Sequence, residues 1–547
     1  MNFQKKNDPN TSFCVVFGWE IQSQILKCFF RPIVDELKKL GSEGFEWQDD
    51  QGTHLSRVFS AVFSCDAVAR CLLQNFHQYN GSFGCGTCFH EGETVENGMG
   101  FTRVYPVRGV VECCTAQNTL ERAVDAVRLN MVIQGVKGPT ILSLLPKFDF
   151  IDGFVPEYMH SVILGVVRQF ETLWLDSENH EKPFYIGKFT STLSNLLQAI
   201  KPCSEGDRLP RCISERKFWK ATEWRNFLFY SPRLLIGILP NVYLSHWWLL
   251  VFAINNLTSS SVSSLMINES RAALLKFVIK IESLYGLEHV SYNVHQLAHL
   301  SQYVTNWGPL WATSAFAFEN NNQLLKKSYH GTKGIASQIV KNSLIWSELD
   351  SLSELCITSA EESVQSFYNQ LSLRGCKFIH KAYYVCESCT GLGNPTVRFL
   401  HDWEKAALCE VTSITALNSK AYCFNRFVLM KKLIHSQEYS TNVRQNDSVL
   451  SLYNGKFLAV HNLVIVKESF QNPADVGTPF ILGQELKPSN FSVRDADVNT
   501  NLARSYRKVL FSDALVCKPG EFKCTCLMIP HERGNFILEW PGNDLSD

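Results

Sequence analysis

The chain has 547 residues, of which 45% are hydrophobic, and its 52 lysine and arginine residues balance 52 aspartate and glutamate residues. This apolar content excludes an intrinsically disordered chain and can fill the cores of roughly two to four domains. A net charge of zero is unusual for a dedicated nucleic-acid-binding protein, so any DNA contact has to come from a local basic patch.

The N-terminal residues and the apolar stretches predict no signal peptide and no membrane span. Residues 1–12 are polar. The longest apolar stretch, residues 243–257, is interrupted by Ser245 and His246 and predicts a core helix instead. Nineteen cysteines without a secretory signal predict reduced thiols, some of them metal ligands. We therefore expect an intracellular protein, nuclear or cytoplasmic, with no small-molecule substrate.

The first 117 residues alternate between helical and strand patterns. Pro32 stands where a helix can begin, and the strand predicted next ends at Asp66. In chain order the predicted elements are a helix over 32–41, a buried strand over 57–65, a helix over 67–76, a glycine-rich knuckle over 81–88 and irregular strands over 90–115.

Helical periodicity dominates from about residue 118 to residue 345, with breaks at 202–210 and at Ser231-Pro232. The strongest helix is predicted over 158–175, with one apolar stripe formed by Val162, Val166, Phe170 and Trp174. Residues 351–375 predict a last helix and linker. Beyond about residue 380 the pattern changes to strands, and Asn454-Gly455 between two apolar runs predicts a hairpin.

Two cysteines and two histidines have the spacing of zinc ligands. Cys85-x-x-Cys88 lies among glycines and can direct two thiolates at one tetrahedral ion. His295-x-x-x-His299 lies in a helical run, so both imidazoles are expected on one face. Each pair alone also suits a structural role in a core. Together the two pairs predict one Cys₂His₂ zinc site.

Two further metal hypotheses arise from the sequence. A metalloprotease needs His-Glu-x-x-His, but the position of the glutamate is occupied by Gln296, which cannot act as a base. The zinc is therefore expected to be structural. A second site could be formed by cysteines of the C-terminal region, namely Cys386, Cys389, Cys524 and Cys526.

Two carboxylates and a basic cluster remain. Asp66 ends a predicted strand, and Glu319 follows two phenylalanines at the start of a helix. Either residue alone could be a helix cap or a surface charge. The basic cluster is either a solvated helix end or a contact for DNA phosphates. It consists of Lys326, Lys327, His330 and Lys333.

These motifs occur in the order found in CACTA-type (En/Spm-like) DDE transposases, which the chain resembles over roughly residues 25–345. VFSCDAVARCLL…GCGTC resembles the segment in which the second catalytic aspartate precedes a CxxC knuckle, and EYMHSVILGVV resembles the family's D-x-M-H helix. The run from ATEWRNFLFY to AFAFENNNQLLKKSYHGTKG resembles the transposase-associated domain that usually follows.

The resemblance implies roles for individual residues. Asp66 corresponds to the second catalytic acid and Glu319 to the third, and the two cysteines and two histidines correspond to the zinc ligands. Glu157 stands where the family has aspartate, three residues before His160. The two acids are expected to face each other across a shallow cleft and to hold at most one vestigial Mg²⁺ ion.

The first catalytic aspartate of the family has no counterpart upstream of Asp66, because none of Asp8, Asp35, Asp49 and Asp50 ends a predicted strand. Two-metal phosphoryl transfer needs a full set of carboxylates. We therefore expect a transposon-derived protein that is catalytically incomplete. The alternatives are a domesticated interaction protein, which binds protein partners or a second copy of itself, and an active nuclease that uses a substitute acid such as Asp152.

The predicted fold class is α+β, with a partial RNase H-like core, an all-helical insertion and a small, mostly β C-terminal domain. The predicted divisions are the core with its knuckle over 1–117, the insertion over 118–290, the histidine-pair and glutamate helices over 291–350, a linker helix over 351–380 and the β domain over 381–547.

Overall fold

The structure is a computed structural model that describes residues 19–204, 208–372, 382–386, 388–412, 420–430, 432–440, 443–467, 477–488, 506–530 and 535–540. It contains many helices and several sheets, which confirms the α+β class. The chain divides into two compact units. The first contains the described residues of Met1–Asn195 and Cys212–Ala315, and the second those of Leu196–Arg211, Phe316–Val493 and Ala503–Asp547.

The helices extend over both units. They are α1 Trp19–Ser42, α2 Ala67–Leu73, α3 Ala116–Leu129, α4 Arg168–Leu175, α5 Thr190–Gln198, α6 Ala221–Leu234, α7 Asn241–Leu257, α8 Ser264–Tyr285, α9 Tyr292–Gln296, α10 Leu300–Trp307, α11 Phe316–Lys327, α12 Ile335–Thr358, α13 Glu362–Ser372, α14 Asp402–Cys409 and α15 Gln437–Ser440. The segment Met159–Val167 is a π-helix that leads directly into α4.

The strands are short in the first unit and longer in the second. They are β1 Phe45–Asp49, β2 Gly52–Ser56, β3 Phe63–Cys65, β4 Glu93–Asn97, β5 Gly100–Val104, β6 Phe154–Pro156, β7 Ala382–Cys386, β8 Cys389–Leu392, β9 Thr396–Phe399, β10 Lys420–Phe424, β11 Arg426–Leu429, β12 Lys432–His435, β13 Val449–Leu452, β14 Phe457–Val466, β15 Thr478–Pro488, β16 Tyr506–Cys517, β17 Phe522–Ile529 and β18 Phe536–Glu539.

The core of the first unit surrounds a parallel pair of strands. β3 pairs with β6, with Phe63 opposite Phe154 and Cys65 opposite Pro156. Apolar side chains of α1, the knuckle and α3 pack around this pair, including Val34 and Phe89. The knuckle and the strand that ends at Asp66 therefore share one hydrophobic core.

The strand predicted over 57–65 is wrong in length. Only Phe63–Cys65 forms a strand, because only these residues have a partner strand among the described residues, and Val58 and Phe59 are exposed. The segment 118–290 is also not all-helical. It contains β6, whose apolar residues are buried against β3.

Two helix boundaries differ from the predicted ones. α1 begins at Trp19 and passes through Pro32, because Phe30 and Leu37, on opposite sides of the proline, both pack on the core. A proline inside a helix costs about 3 kcal/mol, which this packing offsets. The linker helix predicted over 351–380 begins within α12, and residues 373–381 lie outside the described part.

The helices predicted over 158–175 and 243–257 are both present, and the apolar residues predicted to face the core are buried. Val162, Val166, Phe170 and Trp174 are all fully buried, although the first half of this helix is a π-helix. Most of α7 is buried as well, including Trp247 and Leu250. Among the described residues, no helix is long and apolar enough to cross a membrane.

The second unit is dominated by an antiparallel sheet that closes on itself. The strand order is β13-β17-β18-β16-β15-β14, and β13 also pairs with β14, so six strands form a ring. β10 and β9 extend the sheet from β14, and β12, β11, β8 and β7 form a second sheet. The predicted hairpin is confirmed. Gly455 has a positive φ of 80° between β13 and β14, a conformation that favours glycine.

Candidate metal centre and adjoining pocket

The knuckle is built by close approach of backbone to the neighbouring α2 segment. A Cβ atom on Gly86 would lie 2.2 Å from the Oε1 atom of Gln74, and one on Gly84 would lie 2.5 Å from the carbonyl oxygen of Gln78. Only glycine fits against the backbone at Gly84, whereas a larger residue at Gly86 would require the Gln74 side chain to shift. The glycines thus hold Cys85 and Cys88 in the buried turn after α2.

The two histidines occupy a tight turn instead of one continuous helix. α9 contains His295, whereas His299 immediately precedes α10. Between them the backbone bonds join residues three apart, since the amide of His299 donates to the carbonyl oxygen of Gln296. The prediction of one helix is wrong here, but the prediction that both imidazoles point the same way is confirmed, because their Nε2 atoms are 3.2 Å apart.

The ligand atoms of the four residues gather at one point. The Sγ atoms of Cys85 and Cys88 and the ring nitrogens of His295 and His299 all lie within 4.8 Å of one another. Among the described residues, this is the one group of three or more Cys, His, Asp or Glu residues with such spacing. It joins residues more than 200 positions apart in the chain.

The distances between these atoms match the edges of a tetrahedral zinc site. Zinc–nitrogen and zinc–sulfur bonds of ordinary length give about 3.3 Å between two nitrogens and about 3.6 Å between nitrogen and sulfur. The His295–His299 nitrogen distance is 3.2 Å, and the nitrogen–sulfur distances are 3.3 Å for Cys88 with His295 and 3.7 Å for Cys85 with His299. The donor set and its geometry therefore fit one zinc ion.

The electrostatics of the metal-free cluster also favour ligation. Burial opposes ionisation of Cys85, but Cys88 and the two imidazoles together hold the pKa of the Cys85 thiol well below its usual value. The hydrogen bond to Cys85 and burial raise the pKa of Cys88. Burial lowers the pKa of His295, which favours the neutral imidazole that a metal needs.

A hydrogen-bond chain links the cluster to α2. Gln296 donates from Nε2 to the Sγ atom of Cys85 over 3.2 Å, and its Oε1 atom accepts from Arg70 over 3.1 Å. Such contacts orient and tune metal ligands. In the sequence pattern Gln296 only excludes a protease, although its position between the two histidines already indicates that it lies beside the candidate ligands.

His90 also lies beside the cluster, with its ring 5.2 Å from that of His295. Its Nε2 atom is 2.7 Å from the carbonyl oxygen of Pro106, and its Nδ1 atom accepts from the amide of Gly92. Both ring nitrogens are therefore engaged, and His90 shields the site without being a ligand.

A small pocket adjoins the metal centre and contains three of the residues that the resemblance singles out. Its lining includes Asp66, Glu157 and His160, together with Arg70 and Gln296. Asp66 is the N-cap of α2, and its Oδ1 atom accepts from the amide of Ala69 over 2.7 Å. The cap role that the sequence allowed is thus real, and it occupies one carboxylate oxygen.

Glu157 joins two segments of the first unit through hydrogen bonds to its carboxylate. Its buried carboxylate accepts from the backbone amides of Met159, His160 and Ala315 over 2.7–2.8 Å, and from the ring Nδ1 of His160 over 2.6 Å. Ser314 adds a hydroxyl donor at 3.2 Å. The carboxylate therefore fixes the start of the π-helix and holds the segment that ends the first unit, which leaves it unsuited to bind a metal ion.

Arg70 is buried in the wall of this pocket, and some of its N–H groups lack a hydrogen-bond acceptor in the described part of the chain. Its side chain is 2% exposed, and its Nε and Nη2 atoms have no hydrogen-bond partner among the described residues. The Tyr292 ring lies 5.6 Å from the guanidinium. A buried guanidinium with unused N–H groups is suited to a phosphate or carboxylate ligand.

The other predicted site residues lie elsewhere. Glu319 lies in α11 of the second unit, and its expected meeting with Asp66 stays a prediction. Asp152 does not line the pocket that contains Asp66. The backbone carbonyl of Asp152 accepts a hydrogen bond from the Trp307 side chain. Burial, and to a smaller extent the negative charge of Asp149, raise the pKa of the Asp152 carboxyl. The basic cluster is exposed at the end of α11 and in the turn that follows, at Lys326, Lys327, His330 and Lys333.

The second cysteine site is wrong. Cys386 and Cys389 face each other at the end of the β7–β8 hairpin, whereas Cys524 and Cys526 lie on β17 of the ring. Within the described part of the chain these four sulfur atoms do not form a cluster of metal-ligand spacing. The two cysteine pairs lie on strands of different sheets, and the spacing of cysteines in the sequence does not show which strands come together.

No protein-family model matches the chain, and no curated protein matches its sequence.

Proposed function

We propose that this chain is a transposon-derived, DDE transposase-like protein that binds DNA and carries a structural zinc ion but does not itself complete strand transfer. The main observation behind the proposal is that the ligand atoms of the Cys85–Cys88 knuckle and of the His295–His299 turn lie close together. No local pattern joins segments so far apart. The resemblance to CACTA-type transposases implies this pairing, and the same pairing forms the metal centre.

The surroundings of Asp66 support an RNase H-like core. Asp66 directly follows β3, which runs parallel to β6 and leads into α2. Parallel neighbours joined by a crossover with a helix are the basic unit of sheets with helices on their faces. A catalytic acid at the end of such a strand, beside a zinc knuckle, is the arrangement that the resemblance implies.

The acids of the pocket support the loss of catalysis. Of its two carboxylates, Glu157 is committed to backbone and histidine donors, so Asp66 alone remains for a metal ion. Glu319 is expected to join Asp66 by resemblance. Two carboxylates hold at most one Mg²⁺ ion weakly, whereas phosphoryl transfer by this class needs two ions clamped about 4 Å apart.

One group of cations supports DNA as the partner. Lys326 and Lys327 lie exposed in the last turn of α11. These local charges supply the patch that a chain of zero net charge needs for DNA binding.

The DNA proposal is tested by a mobility-shift assay with duplex DNA. We expect the full chain to bind, with affinity that falls by at least about tenfold between about 50 and 200 mM salt. The double variant Lys326→Ala/Lys327→Ala is expected to bind more weakly and to show a shallower salt dependence. The matched control is Lys38→Ala/Lys39→Ala, which removes two adjacent exposed lysines of α1. Absence of any shift at low salt, or equal loss in both double variants, would contradict the proposal.

A second candidate, a non-enzymatic interaction protein, is favoured by α12. This helix exposes large apolar side chains, among them Val340, Leu344, Trp346, Leu349 and Leu352. Exposed apolar patches of this kind mark contacts with other proteins or with a second copy. Failure of the DNA assay together with self-association would favour this candidate.

A further inference from the structure

The outward face of α3, in the first unit, carries an apolar stripe. Leu120, Val124 and Val127 follow one another at intervals of four and three residues, and they are 41%, 57% and 64% exposed. This spacing places their side chains on one side of the helix. Met131, which directly follows the C-cap of α3, is also exposed at this end of the stripe. Neighbouring exposed apolar side chains of this kind mark a contact surface.

The face of α3 that packs on the core is made of smaller residues. Thr119, Ala123 and Ala126 are buried there, whereas the larger apolar side chains of the stripe are exposed. A surface helix ordinarily shows the reverse pattern, with its large apolar residues on the core and polar residues outside. The helix therefore has two apolar faces, of which the part of the chain that the structure describes covers one.

Both ends of α3 are fixed by caps. The Thr115 hydroxyl accepts from the amide of Asn118, and the Asn118 side chain accepts from the amide of Thr115. At the other end Asn130 has a positive φ of 50°, and the amide of Met131 donates to the carbonyl oxygen of Ala126 over 3.1 Å. The stripe is therefore preorganised, so that a partner does not have to order the helix before it binds.

Two opposite charges flank the stripe on one edge. Glu121 and Arg128 are exposed and seven residues apart, so they project from the same edge of the helix. Each has a partner on its own helix, because Gln117 donates to Oε1 of Glu121 over 2.6 Å and Nη2 of Arg128 lies 2.8 Å from Asp125. Exposed contacts of this kind contribute little. A carboxylate and a guanidinium each have further acceptor or donor atoms with which to bind a second molecule at the same time.

The stripe and its charges are complementary to themselves when two copies of α3 run antiparallel. A two-fold axis near the middle of the helix sets Val124 against Val127 of the second copy and brings Leu120 close to the C-terminal end of the other helix. The same alignment places Glu121 opposite Arg128 of the second copy, and Arg128 opposite Glu121. An interface of this form is isologous, which is the commonest arrangement in homodimers.

Other occupants match the stripe less well. In a parallel pair, Glu121 and Arg128 would face Ala123 and Asn130 of the second copy, which carry no charge. A helix of a different protein would need an apolar stripe flanked by the same two charges in the reverse order, whereas symmetry supplies this pattern from a second copy. The net charge of zero adds no overall repulsion between two copies.

We propose that this stripe is a dimer contact, in which the α3 helices of two copies of the chain pack antiparallel. The helix has 14 residues and is therefore about 21 Å long, so the contact is small. A contact of this size gives a weak dimer, with a Kd of about 1–100 µM. The contact does not involve Lys326 and Lys327, on which the DNA proposal depends.

The test is sedimentation equilibrium of the full chain at about 1–200 µM. The unmodified chain is expected to approach twice the mass of a single chain. Glu121→Arg and Arg128→Glu are each expected to weaken association at least about tenfold, because each brings like charges together across the contact. An equal mixture of these two variants is expected to associate as well as the unmodified chain, since one variant then supplies two positive charges and the other two negative charges.

The apolar part of the contact is tested by Val124→Asp. This variant is expected to stay monomeric over the same range and to keep its melting temperature, because Val124 is exposed. The matched controls are Leu265→Asp and Glu36→Arg, which alter an exposed leucine of α8 and an exposed glutamate of α1 in the same unit. Both controls are expected to associate like the unmodified chain.

Several outcomes would overturn the proposal. A chain that stays monomeric at the highest concentration would leave the stripe to a different protein. Association that survives Val124→Asp would place the contact elsewhere, for example on α12, and a mixture of the two charge variants that fails to associate would exclude the antiparallel alignment. Lys326→Ala/Lys327→Ala is expected to leave association unchanged, so this proposal and the DNA proposal can fail separately.

Discussion

Cys85→Ser is expected to reduce bound zinc from about one equivalent to near zero and to lower the melting temperature by roughly 10 °C or more. The reason is that the ion ties the knuckle to a turn 207 positions further along the chain, between Cys88 and His295. Both segments are buried in the first unit, so the free energy of metal binding contributes to its folding. Metal content by mass spectrometry and melting by calorimetry measure the two effects.

The control for this experiment is Cys28→Ser, since Cys28 is an exposed thiol of α1 in the same unit. It is expected to keep both the zinc and the melting temperature. Treatment of the unmodified chain with a strong chelator should reproduce the effect of Cys85→Ser. A zinc-free protein with an unchanged melting curve would show that the four residues are only a packed core.

Glu157→Ala is expected to destabilise the first unit by about 3–5 kcal/mol. The substitution leaves the buried amides of Met159 and Ala315 without an acceptor, and it removes the partner of the His160 ring. Glu157→Asp, which restores the residue found in the resembling family, is expected to cost less but to lose the contact with Ala315, because its side chain is one methylene shorter. Urea denaturation of each variant gives the change in unfolding free energy.

Glu36→Ala is the control for Glu157→Ala, because Glu36 is an exposed glutamate of α1. Its unfolding free energy should stay within about 0.5 kcal/mol of the unmodified chain. A Glu157→Ala variant that is as stable as this control would mean that the carboxylate does not hold the π-helix and the end of the first unit together.

The sequence predicted the ligands of the metal centre better than the secondary structure around them. Cys85, Cys88, His295 and His299 were all identified from spacing and resemblance, because zinc chemistry permits few residue types and few separations. The continuous helix expected for the histidines was wrong. Helical spacing does not distinguish an α-helix from a tight turn that keeps both rings on one side.

Strand length and remote contacts were less predictable. Residues 57–65 have the composition of a strand, but a strand exists only where another strand pairs with it, and β6 has only three residues to offer. The role of Glu157 depends on donors at Ser314 and Ala315, which sequence patterns do not connect to it. The β-bulges near His461 and Gln484 likewise arise from registers that only the folded sheet defines.

The most direct test of the proposed function is a nicking assay on supercoiled plasmid with Mn²⁺ or Mg²⁺, because a single cut relaxes the plasmid whatever its sequence. The proposal predicts that the zinc-loaded chain binds the plasmid but nicks it no faster than buffer, and that Asp66→Ala gives the same result. Of the two carboxylates in the pocket, Glu157 is fully engaged and Asp66 uses one oxygen as a helix cap, which leaves too few ligand atoms for two-metal catalysis. Metal-dependent nicking that disappears in Asp66→Ala would contradict the proposal and show that the chain is a complete enzyme.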